Sequence, residues 1–157
     1  MKTDATQSIE QLHRIIKGRI VQPGDDNYND VRKIWNAMID RSPAVIVQCA
    51  HPDDVPQAIT FARGNRYEIS IRGAGHNIAG NAVCDDGVMI DFSAMNAVDV
   101  DPSTKRAYVQ PGVTLGDLDR ATQAHGLATP VGINSTTGIA GLTLGGGFGW
   151  LTRQYGM

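Results

Sequence analysis

A chain of 157 residues, 41% of them hydrophobic, is long enough for one domain with its own core. Its 14 basic and 16 acidic residues leave a formal net charge of −2 and no long-range field for a polyanion, which excludes nucleic acid as a favoured partner. Two cysteines, Cys49 and Cys84, read as free thiols of a reducing cytosol, with a single disulfide as the alternative. Met1-Lys2-Thr3-Asp4 opens no apolar leader, and no run reaches the roughly 18 apolar residues that span a bilayer. The expectation is a cytoplasmic protein without a membrane partner.

Ile9, Leu12, Ile15 and Ile16 recur at helical spacing over residues 8–16, with Gly18 to end the helix. His13 lies on this helix with no ligand type near it and reads as a surface imidazole. Gln22-Pro23-Gly24-Asp25-Asp26-Asn27 is a turn cluster, and Val31, Ile34, Trp35 and Met38 predict a second helix with Trp35 as a core anchor. Ala44-Val45-Ile46-Val47 predicts a buried strand. His51-Pro52-Asp53-Asp54-Val55 then has the composition of a helix start, the helix running to about Ala62, with Asp53 and Asp54 as complements of the helix dipole. Cys49-x-His51 has no further Cys or His at ligand spacing, so no metal site is expected.

Ile69 and Ile71 mark the next strand, which closes a strand-helix-strand unit and delivers the loop Arg72-Gly73-Ala74-Gly75-His76-Asn77-Ile78-Ala79-Gly80-Asn81 at its carboxyl end. Glycines let successive N–H groups approach a ligand, so the loop reads as an anion cradle with an imidazole at its centre; a plain glycine turn is the other reading. No helix signal follows it directly, which makes a nicotinamide-type dinucleotide motif a poor fit. Asp85-Asp86-Gly87 precedes a strand over Val88-Met89-Ile90-Asp91-Phe92. Strands near 97–100 and 106–109 form a hairpin across Asp101-Pro102-Ser103-Thr104. Pro111-Gly112-Val113-Thr114 caps a helix carrying Leu115, Leu118 and Ala121, closed by Gly126 with His125 near its end. A second cluster follows. Gly132, Asn134, Thr136, Thr137 and Gly138 lead into an apolar turn over 139–144 containing Gly141, and then Gly145-Gly146-Gly147. It suits a phosphate or ring ligand, or close packing of small residues against a strand. The absence of a following Lys-Ser/Thr disfavours a P-loop.

The order of these motifs, Arg72-Gly-Ala-Gly-His76-Asn77, then Asp85-Asp86-Gly87-Val-Met-Ile-Asp91, then Gly138 to Gly149, resembles the flavin-binding domain of the vanillyl-alcohol oxidase superfamily. It is most similar there to the berberine-bridge-enzyme-like and 6-hydroxynicotine-oxidase-like FAD-linked oxidases. The resemblance implies an α+β fold: a PCMH-type FAD-binding domain of two small α/β subdomains over residues 43–157, incomplete at its C-terminus, after a helical lead-in over 1–42. Ala74 stands where that family commonly has glycine. The family histidine is bonded through a ring nitrogen to the flavin 8α-methyl carbon, which makes His76 the implied covalent anchor. Bicovalent members add a cysteine in a Gly-x-Cys pattern; Gly132-Ile133-Asn134 puts Asn134 there, so a single attachment is implied.

The residues implied to meet FAD are Arg72, Gly73, Ala74, Gly75, His76, Asn77, Gly80 and Asn81 in the first loop, and Pro111 before the capped helix. In the second cluster they are Gly132, Asn134, Thr136, Thr137, Gly138, Gly141, Gly145, Gly146 and Gly147. Arg72 reads equally as a phosphate partner or as a structural pair at the strand end, and Trp35 as a flavin shield if it is not a core anchor. The implied activity is oxidation of a small-molecule substrate by hydride transfer to flavin N5, with oxygen as acceptor. The resemblance names no substrate, and nothing nominates a catalytic base or an oligomeric state; Tyr155 has no neighbour to promote it. The competing reading is a non-catalytic module that holds a nucleotide or phosphate ligand reversibly.

Overall fold

Val45-Ile46-Val47 and Val88-Met89-Ile90 are apolar at every position, the pattern of strands covered on both faces, and in the computed structural model they lie at the centre of the main sheet. The structure describes the backbone of residues 2–156 and the side chains of residues 9–156. In chain order the elements are α1 (Lys2–Ile15), β1 (Arg19–Val21), α2 (Tyr28–Val31), β2 (Val45–Gln48), α3 (Asp54–Gly64) and β3 (Ile69–Arg72). There follow β4 (Val88–Asp91), β5 (Val98–Asp101), β6 (Arg106–Val109), α4 (Leu115–Gln123), α5 (Ile139–Gly145) and α6 (Thr152–Tyr155). The main sheet has the order β1-β2-β4-β3, with β4 parallel to both β2 and β3 and β1 antiparallel to β2. The strand-helix-strand unit β2-α3-β3 therefore straddles β4, which inserts between its two strands.

Strand alternation sorts the core into two layers. Val45, Val47, Val88 and Ile90 point to one face, where Leu12 of α1 and Ala58, Phe61 and Ala62 of α3 cover them. Ile46 and Met89 point to the other, with Val21, Tyr28 and Val83. Tyr28 is buried because its hydroxyl has a partner, donating to the Pro43 carbonyl at 2.7 Å. Both thiols are free and buried, and burial pushes that of Cys49 up to about 12.

Two local expectations fail and a third is incomplete. The second helix is one turn, α2, and does not reach Met38. Asn36 Oδ1 accepts from the Met38 N–H and the Asn36 carbonyl from the Ile39 N–H, a local turn that competes with helix propagation. Its apparent stripe was a coincidence of spacing: Val31 and Ile34 pack on the second core layer, Met38 is 91% exposed, and Trp35, at 59% exposure, is no core anchor. Asp54 is more than a dipole complement. Fully buried, it accepts the N–H groups of Lys17, Gly18, Ala50 and His51 at 2.8–3.1 Å, joining the entry of β1 to the exit of β2. Finally, residues 139–145 form the helix α5, not a turn, although no residue of it is buried.

β5 and β6 make the expected antiparallel hairpin. Asp101 holds its turn by accepting from the hydroxyls and N–H groups of Ser103 and Thr104, and these bonds lower its carboxyl to about 2. Helix α4 packs on β5 and begins with a complete capping box: Thr114 Oγ1 accepts from the Asp117 N–H, and the Asp117 carboxylate accepts from the Thr114 N–H. Thr114→Ala is expected to lower stability by about 1 kcal/mol. In urea titration this appears as a lower midpoint at unchanged slope, and Thr114→Ser should keep the wild-type midpoint.

Candidate functional site

The three parallel strands end together, and their last residues form a polar row at the carboxyl edge of the sheet. The carboxylate of Asp91, fully buried, accepts from Gln48 Nε2 at 3.0 Å, Ser93 Oγ at 2.8 Å and the Ser93 N–H at 3.1 Å. Arg72 Nε lies 3.8 Å from Asp91 Oδ1, buried and beyond hydrogen-bond reach, while Nη1 donates to the Val31 carbonyl. The guanidinium thus braces the end of β3 against α2, the structural pairing that was one of its two readings. From this anchored end the chain enters the glycine loop.

The loop's shape comes from a few positions. Gly75 and Gly80 have φ of +73° and +81°, a region that side chains disfavour. Asn77 Oδ1 accepts the Asn81 N–H at 3.0 Å, closing the far end. The near end is held from the α2 side: the Trp35 N–H donates to the Gly75 carbonyl at 3.1 Å, and Asn36 Nδ2 donates to the Ile78 carbonyl at 2.9 Å. Among the described residues, the N–H groups of Ala74, Gly75, His76 and Asn77 have no protein acceptor. A run of unpaired N–H groups at a glycine turn is a donor set suited to an anionic oxygen.

The second cluster is brought alongside by backbone pairing with the start of α4. The N–H groups of Leu115 and Gly116 donate to the carbonyls of Thr137 and Ser135, and the Ile139 N–H donates to Val113. Gly138 then lies directly on Ala74: a Cβ at position 138 would stand 2.9 Å from both the Cβ and the N of Ala74. Two segments about sixty residues apart in sequence meet here, and His76 is at the junction. Its ring stacks on Trp35, with centroids 5.3 Å apart and planes inclined by 23°, and its Nε2 lies 3.0 Å from Thr136 Oγ1. Thr136 is held in turn by Asn134, whose Oδ1 accepts the Thr136 N–H at 3.0 Å and hydroxyl at 2.9 Å.

His76, Gly73 and Ala74 form a ridge between two clefts. One, of about 540 Å³, is bounded by the rest of the first loop and by Thr137, Gly138, Gly141 and Gly146. The other, of about 450 Å³, is bounded by Trp35, Arg72, Gly112, Thr114 and Thr136. The remaining sequence candidates line neither cleft. The Pro111 carbonyl would be 3.2 Å from a Cβ on Gly73, Gly132 packs against Leu115 and Leu142, and Gly147 packs against Leu142. Gly145, at the end of α5, has no heavy atom within 4 Å of a notional Cβ. Gly112 and Thr114 are wall residues outside the sequence candidates, and Trp35 is one that the sequence read first as core. An aromatic at a helical spacing reads as core, and only the early stop of α2 frees it to meet His76. Among the described residues no three His, Cys, Asp or Glu side chains gather as a metal site, and no described helix is long and apolar enough to cross a membrane.

The chain, a mixed α/β domain in which two glycine loops meet at one histidine, belongs to the FAD binding domain family, whose pattern it matches over residues 43–157. It is 36% identical over 157 residues to an FAD-linked oxidoreductase of Dictyostelium discoideum, an alignment covering 99% of this chain and 34% of that protein. It is 35% identical over 142 residues to (R)-6-hydroxynicotine oxidase of Paenarthrobacter nicotinovorans, covering 90% of this chain and 31% of the relative. The crystal structure of 6-hydroxy-D-nicotine oxidase from Arthrobacter nicotinovorans superposes with a TM-score of 0.88 over 90% of this chain and 31% of that one, at 35% identity. Physcomitrella patens BBE-like 1 gives 0.88 over 94% and 33%, at 28% identity. The fold is the PCMH-type FAD-binding architecture that the sequence implied, and the chain spans about a third of the length of the relatives it matches.

Proposed function

We propose that this chain is the cofactor-holding portion of an FAD-dependent oxidoreductase that oxidises a small-molecule substrate, with the flavin attached covalently through His76 and through no second residue. One observation carries the reading: the imidazole sits at the junction of the two glycine loops, with a cleft on either side and four neighbouring N–H groups that have no acceptor among the described residues. Bound FAD supplies two-electron chemistry, a substrate hydride passing to N5 and the electrons then to an acceptor, here taken as oxygen.

The chain's own residues bind and orient. The N–H groups of 74–77 hold negative charge, and the contact of Gly138 with Ala74 sets the spacing of the two loops. Trp35 limits rotation of the His76 ring by stacking on one face. Arg72 acts at one remove, fixing the strand end that launches the loop. Asn134 occupies the place where bicovalent relatives use cysteine, and its side chain is committed to Thr136.

The test is acid precipitation of purified protein. Wild type is expected to keep yellow colour in the pellet, with FAD on the tryptic peptide that follows Arg72, and His76→Ala to lose both. Flavin released to the supernatant by wild type would demote His76 to a contact residue and leave a dissociable flavoprotein.

A further inference from the structure

Hydrogen positions along Asn134, Thr136 and His76 follow from counting donors. The Thr136 backbone N–H can only donate, so the Asn134 atom 3.0 Å from it is the carbonyl oxygen and not the amide nitrogen. That same oxygen is 2.9 Å from Thr136 Oγ1, and as an acceptor it takes the hydroxyl's single hydrogen. Oγ1, its hydrogen used, can only accept at its other short contact, the 3.0 Å approach of His76 Nε2. Were the hydroxyl hydrogen turned to His76 instead, two oxygen lone pairs would face each other at 2.9 Å with nothing between them. Nε2 therefore carries the imidazole proton, and Nδ1, with no hydrogen-bond partner among the described residues, carries the lone pair.

We infer that Asn134 and Thr136 are positioning residues that set the His76 tautomer, making Nδ1 the nucleophilic nitrogen of the site. The inference rests on the reading that His76 carries the flavin only for its functional consequence; the tautomer is a property of the chain itself. Trp35 completes the arrangement by fixing the ring plane, so that the Nε2 contact to Thr136 also fixes the direction of Nδ1.

The test is nitrogen-15 NMR of the His76 imidazole in flavin-free protein from riboflavin-starved cells, at alkaline pH where an imidazole is neutral. Wild type is expected to show one tautomer, with a pyrrole-like, protonated Nε2 and a pyridine-like Nδ1. Thr136→Val and Asn134→Ala are expected to shift both nitrogens towards averaged values, while Thr136→Ser, which keeps the hydroxyl, retains the wild-type pattern. A proton on Nδ1 in wild type, or variants with wild-type spectra, would overturn the inference. Acid-stable flavin, measured in parallel on the same proteins grown with riboflavin, is expected to fall several-fold in Thr136→Val and Asn134→Ala. The two arms separate the claims. Wild type with the Nε2 proton but no bound flavin sinks the functional reading and keeps the relay, and flavinylated wild type with the proton on Nδ1 does the reverse.

Discussion

Asp54→Ala is expected to destabilise the protein by about 4 kcal/mol, lowering the melting temperature by about 10 °C, the largest loss from any single polar side chain here. The carboxylate is fully buried and makes no ion pair among the described residues; its partners are the four backbone N–H groups of Lys17, Gly18, Ala50 and His51. Alanine would strand those donors where β1 meets β2. Asp54→Asn is a graded control, because Oδ2 of the native carboxylate accepts from three of the donors and Oδ1 from one. An amide can keep its oxygen on the three, turning its nitrogen to the Lys17 N–H alone, so this substitution should cost about 2 kcal/mol. Equal stability of the alanine variant and wild type would show that these bonds contribute nothing net.

The same residue gives a pH dependence of known sign. Burial pushes the Asp54 carboxyl upward, but the backbone N–H groups of Lys17, Ala50, His51 and Gly18 outweigh it and leave the group below its ordinary value of 3.8. A carboxyl held lower in the folded than in the unfolded chain contributes stability that is fully present above the unfolded value. That contribution is lost as pH falls through the folded one. Denaturant titrations of wild type between about pH 5 and pH 2 should therefore show a falling limb that is shallower in Asp54→Asn.

Most of the scaffold was legible because its signals are local and redundant. Uninterrupted apolar runs identified β2 and β4, period-3.6 spacing identified α1 and α4, and Asp101-Pro102-Ser103-Thr104 identified a hairpin whose carboxylate bonds are as short-range as its sequence. The first loop was legible for a further reason: Gly75 and Gly80 adopt φ values that most other residues avoid, so composition reports backbone shape directly. What escaped was set by distant contacts. Trp35 has the spacing of a core residue, yet its environment is decided by Gly75 and His76, about forty residues on, and by a turn at Asn36 that ends the helix pattern. Asp54 looked like a first-turn acid because nothing in its neighbourhood announces that Lys17 and Gly18 will fold over it. The pairing of Asn134, Thr136 and His76 is likewise invisible until residues 135–139 are seen lying along 113–116.

Gly138→Ala is expected to cost about 2 kcal/mol and to disturb the site as well as the fold, because the added methyl has no side-chain tip to push aside. It would stand 2.9 Å from the Cβ and 2.9 Å from the backbone N of Ala74, so the two glycine clusters must separate. Thr136 lies two residues upstream on the displaced segment, and its 3.0 Å contact to His76 should lengthen with it. Position 74 supplies the internal test. Ala74→Gly alone should cost about 0.5 kcal/mol through added backbone freedom. In the double variant it removes the Cβ–Cβ clash while leaving the Cβ–N one, so the pair should recover about 1 kcal/mol relative to additivity. Gly141→Ala, on α5 with no heavy atom within 4 Å of its notional Cβ, is the matched control and should stay within about 0.5 kcal/mol of wild type. Losses at 138 and 74 that simply add would mean the loops already part without strain. A recovered pair would show that the alanine at 74 and the glycine at 138 share one contact, and that the spacing of the two loops around His76 is set there.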